Sequence, residues 1–137
     1  MSSAFSLVRI VAAALIAYSL NLAFDWALAA WGITGGSDAH PRIAASALIL
    51  GAHLLIAIVA GALCAVLAGP GRTLPATLLL MGMYLVGGAR ASRELAAAGH
   101  LPFTSVIVTL LCVSFSPIVP IVYANMVAKR RGRLPLR

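Results

Sequence analysis

The chain has 137 residues, of which 62% are hydrophobic and 9% charged; ten Lys and Arg against three Asp and Glu give a formal charge of +7. A soluble domain carries about 25% charged residues, and a 14.1 kDa globule this apolar (mean hydropathy +1.04) could not cover its own surface in water. An ordinary soluble enzyme and a disordered chain are thereby excluded, and the composition specifies an all-α integral membrane protein.

The first apolar segment runs from about Phe5 to Trp31, interrupted by Arg9 and Asp25. Arg9 ahead of an apolar stretch, with Ala27-Leu28-Ala29 behind it, has the outline of a secretory signal. The stretch is longer than a signal-peptide core, so it reads as a signal-anchor helix. A loop of Gly32, Gly35, Gly36, Ser37, Asp38 and Pro41 follows. The second segment, Ile43 to Gly69, has no charged residue and exceeds the roughly 20 residues needed to cross the hydrocarbon core. Gly69-Pro70-Gly71-Arg72-Thr73 makes a tight turn, with Thr73 as the expected N-cap and Pro75 in the first helical turn.

The third segment is uncharged from Leu74 to Ala89, and ARASRELAAA after it is a good helix former. The third helix is expected to continue beyond the membrane to Gly99, with Arg90 and Glu94 paired at i,i+4. The fourth segment, Leu101 to Ala128, is again free of Asp, Glu, Lys and Arg. Pro117 and Pro120 each remove a backbone donor and are expected to kink it. The resulting expectation is one four-helix transmembrane bundle over residues 1–137, ending in a basic tail at 129–137.

Orientation follows from the bases flanking the spans. Four spans put both termini on one side, together with Arg9, Arg72 and the tail residues Lys129, Arg130, Arg131, Arg133 and Arg137. Arg42, Arg90 and Arg93 fall on the other. Seven against three places both termini in the cytoplasm, and a bacterial inner membrane is the expected setting. The tail is topogenic, and it also suits anionic lipid headgroups or an acidic partner. No aromatic-basic platform accompanies the charge, so nucleic acid is not an expected partner.

Asp25 is the only acid within a span. It lies about 9 Å below Trp31 at the rise of a helix. Arg9, Ala13, Ala17, Asn21, Asp25 and Ala29 repeat every four residues, a small and polar stripe suited to close helix packing. In the second segment His53 stands one step above a like stripe, Ala57, Gly61, Ala65 and Gly69. Asn21, Asp25 and His53 are the candidate intramembrane polar site. The plainer reading is an interhelical clamp, and the sharper one a proton or cation site. A bis-histidine haem would need a second His at the depth of His53, whereas His40 and His100 fall in loops. No cofactor or metal is therefore expected.

The fourth segment carries Ser105, Thr109, Cys112, Ser116, Pro120 and Tyr123 on one side. Tyr84, Thr109, Ser116 and Tyr123 are candidates for lining a cavity if that helix is broken. Cys64 and Cys112 lack ligand spacing and read as packing residues. No hydrolase, phosphate-loop or metalloprotease pattern occurs, so a catalytic role is not indicated. Two functions remain. One is a small non-catalytic subunit packing against a larger membrane complex. The other is an oligomeric small-solute or ion transporter using Asp25 and His53.

Overall fold

The computed structural model describes residues 3–31, 43–99 and 103–132. Among these the chain is helical without strands: α1 Ser3–Ala30, α2 Ile43–Ala68, α3 Thr73–Ala97, α4 Phe103–Phe115 and α5 Ile118–Gly132. Four helical stretches are long and apolar enough to cross a membrane: Ala4–Ala30, Leu48–Ala68, Thr73–Ala97 and Ser105–Arg130. His40, His100, Arg133 and Arg137, the side chain of Arg131, and the loop from Gly32 to Arg42 lie outside the described residues.

α1 packs on α2 and α3, α2 also meets α4 and α5, and α3 meets α4. Polar contacts fix the register at both ends. Arg9 Nε donates to the Leu67 carbonyl at 2.8 Å and Arg72 Nε to Ser6 Oγ at 2.6 Å, joining the start of α1 to the α2–α3 turn. This end also carries the end of α5 and is called the tail end below. At the opposite end Ser92 Oγ donates to Ser105 Oγ at 3.3 Å, joining α3 to α4.

The core is built from small side chains. Ala13, Ala14, Ala17, Ala57, Ala60, Ala68 and Ala76 are buried, and Leu80 is the largest side chain fully enclosed. The bulky residues face outward instead: Leu15, Ile16, Leu22, Leu48, Leu55 and Val86 are all exposed. Such a distribution would be inverted in water. It suits a bilayer, where lipid tails solvate Leu as well as a core does and helices associate by close packing on small residues. Three of the helix hydroxyls are answered within their own helices. Ser19, Thr77 and Thr109 each donate to the carbonyl four residues earlier, at 2.7–2.8 Å, so they bring no unpaired donor into the membrane.

Three local expectations meet the structure differently. Thr73 is the first helical residue, not the N-cap. Gly69 and Gly71 turn the chain at φ +78° and +82°, Arg72 takes the cap position without a side-chain capping bond, and the Thr73 hydroxyl donates back to the Gly69 carbonyl at 3.2 Å. The third helix does run on through Ala97, with Gly99 at φ +78° just beyond it, and Arg90 Nε pairs with Glu94 Oε1 at 2.8 Å. The fourth apolar segment is divided at Ser116–Pro117 into α4 and α5. Ser116 N still bonds Cys112 O at 3.1 Å, and Ile121 N bonds Pro117 O at 2.9 Å, but Pro117 and Pro120 supply no donors between them.

The carbonyl left without its i+4 donor by Pro120 is that of Ser116, and it rests against Gly61 on α2. A Cβ at Gly61 would collide with this backbone carbonyl. The small stripe of α2 is thus matched to the proline-broken segment, whose carbonyl meets a Cα–H instead of an N–H. Gly61→Ala is expected to destabilise the folded protein in detergent by about 1–3 kcal/mol, as an overpacked contact with backbone on one side. Gly51→Ala meets nothing within 4 Å and removes a helix-interior glycine, so it is expected to be neutral or slightly stabilising. Thermal unfolding of the two variants side by side checks both.

Candidate functional site

Helix periodicity sets Asn21 and Asp25 one turn apart on α1. Asn21 is buried, and the Asp25 side chain is 45% exposed. His53 of α2 is buried as well, with Phe24 edge-on to its ring at 5.3 Å between centroids. His53 Nε2 lies 2.8 Å from Asp25 Oδ1 and His53 Nδ1 lies 2.8 Å from the Ile49 carbonyl oxygen. On the far side of the carboxyl group, Asn21 Nδ2 donates to Asp25 Oδ2 at 3.3 Å. The Cys112 thiol of α4 reaches Asn21 Oδ1 at 4.0 Å. A short polar chain therefore runs from α4 through α1 to α2.

The donors and acceptors in this chain fix its proton count. A backbone carbonyl only accepts, so Nδ1 of His53 carries a hydrogen. Nε2 then faces a carboxyl oxygen across 2.8 Å, and one proton must lie between them. Either Asp25 is protonated and donates to a neutral imidazole, or an imidazolium donates to a carboxylate. Both forms are neutral as a pair and satisfy every contact. Loss of that proton would leave two lone pairs facing each other, or turn the Nδ1 lone pair on the Ile49 carbonyl, with a net negative charge at membrane depth. The arrangement is a one-proton dyad.

The other candidates separate into groups. Ala13, Ala17, Ala57, Gly61, Ala65 and Gly69 are all buried, as packing residues would be. Ala29 at the end of the α1 stripe is exposed, and Leu28 is buried in its place, because a four-residue repeat drifts around a 3.6-residue helix. Tyr84 and Ser116 are buried, and neither hydroxyl has a hydrogen-bond partner among the described residues. Tyr84 instead meets Tyr18 edge to face at 5.6 Å. Thr109 packs on Gly88 of α3. Tyr123 is apart from these three. It lines a cleft of about 290 Å³ at the tail end, with Pro70, Thr73, Leu74 and Val127. Lys129 and Arg130 are exposed at the end of α5 nearby.

Sequence reasoning passed over Cys112 as a packing residue, although its place on the polar stripe of α4 was the signal for its contact with Asn21. It also passed over Tyr18 and Phe24, which carry no pattern of their own. Among the described residues, no group of three or more His, Cys, Asp or Glu side chains is placed to hold a metal ion. No family model, curated protein or solved structure matches the chain.

His53→Ala removes the dyad partner of Asp25 and is expected to lower stability in detergent by about 1–2 kcal/mol, the upper range for polar contacts between membrane helices. Asp25→Asn is expected to cost less, because an amide N–H can donate to Nε2 of a neutral imidazole in the same place. Denaturant or thermal unfolding of the two variants measures the order, and the reverse order would contradict the proton count.

Proposed function

We propose that this chain is a small non-catalytic membrane subunit that packs against a larger membrane complex. The observation carrying this reading is the direction in which the polar cluster opens. Its inner members, Asn21 and His53, are sealed beneath alanine-packed helices. Asp25 instead turns nearly half its side chain outward, beside exposed Leu22 and Trp26. Lipid tails offer no hydrogen bond to that carboxyl group, whereas a neighbouring helix with a hydroxyl, amide or basic side chain does. The buried hydrophobic core beside the dyad is mostly alanine. In the sequence, seven bases flank the spans on the side of the termini against three on the other, which supports cytoplasmic termini, with a bacterial inner membrane as the proposed setting. Anionic headgroups are the expected neighbours of the tail.

A second reading is favoured by one observation, the shared proton. A dyad that exchanges a single proton can couple to a proton or cation gradient when a second copy completes a path beside Asp25. Under that reading the protein is an oligomeric transporter of ions or small solutes.

The two readings part on one substitution. In the subunit reading, the full chain purified in mild detergent carries a stoichiometric membrane partner. Asp25→Asn retains it and Asp25→Leu loses it. A partner-free homo-oligomer contradicts this reading. The transporter reading is then supported if reconstituted vesicles take up protons and Asp25→Asn abolishes uptake with the fold intact.

A further inference from the structure

The two arginines at the tail end are held in an unusual way for surface bases. Each is fixed through the Nε edge of its guanidinium group, Arg9 on the Leu67 carbonyl and Arg72 on Ser6 Oγ. Ser6 and Arg9 are one turn apart on α1. Leu67, Gly69 and Arg72 belong to one chain reversal, closed by Arg72 N donating to Gly69 O at 3.2 Å. The two guanidinium groups therefore straddle the same seam. The Arg9 fork lies across Gly69, where a Cβ would come within 3.1 Å of Nη2 and the positive φ already favours glycine.

A guanidinium group has five N–H donors, and each of these uses one in the contacts named. Neither has a further acceptor among the described residues. The described acids, Asp25 and Glu94, both lie toward the opposite end of the molecule. We infer that Arg9 and Arg72 form a binding site for the phosphate group of an anionic phospholipid at the tail end.

Three features choose this ligand. The first is depth. The apolar window of α2 ends at Ala68 and α3 begins at Thr73, so the pair sits where hydrocarbon gives way to headgroups. The second is charge and shape. Two planar forks with their Nη edges unused match the non-bridging oxygens of a phosphodiester bidentately. A zwitterionic headgroup adds an ammonium group that the two guanidinium groups would repel and that has no carboxylate nearby among the described residues. The third is the flank. Phe5 and Val8 on α1 and Leu74 on α3 are exposed beside the pair, an apolar surface for acyl chains that a soluble phosphate would not use. Lys129 and Arg130 at the end of α5 add to the field at this end without belonging to the cradle. The inference does not depend on the reading of Asp25 and His53.

The test uses the full chain in a nonionic detergent. Its thermal unfolding is followed during titration with phosphatidylglycerol, with phosphatidylcholine and with inorganic phosphate. Phosphatidylglycerol is expected to raise the midpoint saturably and the other two to leave it unchanged. Arg9→Gln combined with Arg72→Gln is expected to weaken the apparent lipid affinity about tenfold or more, the loss of two charge-assisted bidentate contacts. Lys129→Gln combined with Arg130→Gln is expected to keep most of it. Should the paired glutamine variant not fold, Arg9→Lys and Arg72→Lys keep the charge while losing the fork. Each is expected to weaken binding about threefold or more. An undiminished response in the Arg9 and Arg72 variants, or an equal response to phosphatidylcholine, overturns the site. An equal response to inorganic phosphate overturns the lipid as its ligand.

Discussion

The contact between Asp25 and His53 is the constraint around which the upper part of the molecule is arranged. It places an ionisable acid and an imidazole 2.8 Å apart inside a span, where an isolated charge is expensive. The Ile49 carbonyl settles the problem by fixing the hydrogen on Nδ1. The remaining nitrogen and the carboxyl group then share one proton and stay neutral together. Asn21 and Cys112 complete the accounting on the other side of the carboxyl group. Three helices are tied by this chain, with one proton shared at its middle.

Such a chain forms only if the helices come close, and the sequence provides for that with alanine and glycine in place of leucine. The fully buried residues of α1 and α2 on the tail-end side of the dyad are small: Ala13, Ala14, Ala17, Ala57, Ala60, Cys64 and Ala68. Gly61 lets α2 lie on the carbonyl of Ser116, the one that Pro120 leaves without a donor. Packing and polar satisfaction are thus one arrangement: the proline that breaks the last span exposes an acceptor, and the glycine stripe accepts its approach. At the tail end the same economy operates with arginine, whose Nε groups join α1 to the α2–α3 turn.

Much of the fold was legible because membrane helices are written in length and composition. Long apolar runs flanked by Gly, Pro and Arg indicated four spans, and ARASRELAAA indicated the extension of the third with its Arg90–Glu94 pair. Four-residue stripes showed which faces would be buried, down to Asn21, His53 and Gly61. The meeting of Asp25 with His53 was compatible with their depths but not determined by them, since periodicity places residues on a face without setting the rotation of one helix against another. The role of Arg9 and Arg72 was hidden for a related reason. Basic residues at span ends are common topogenic signals, and nothing in their spacing shows that a carbonyl and a serine will pin them. Thr73 was misplaced by one position because the two positive-φ glycines before it shorten the turn.

The proton count of the dyad is the claim on which the reading of the site rests, and the imidazole of His53 reports it directly. Solid-state 15N NMR of ring-labelled protein in lipid bilayers distinguishes the two nitrogens and their protonation. The account predicts a protonated Nδ1 in the folded protein, with Nε2 either bare beside a protonated Asp25 or protonated beside a carboxylate. A neutral ring with its hydrogen on Nε2 and a bare Nδ1 would contradict it, because the Nδ1 lone pair would then face the Ile49 carbonyl and the dyad would carry a net negative charge.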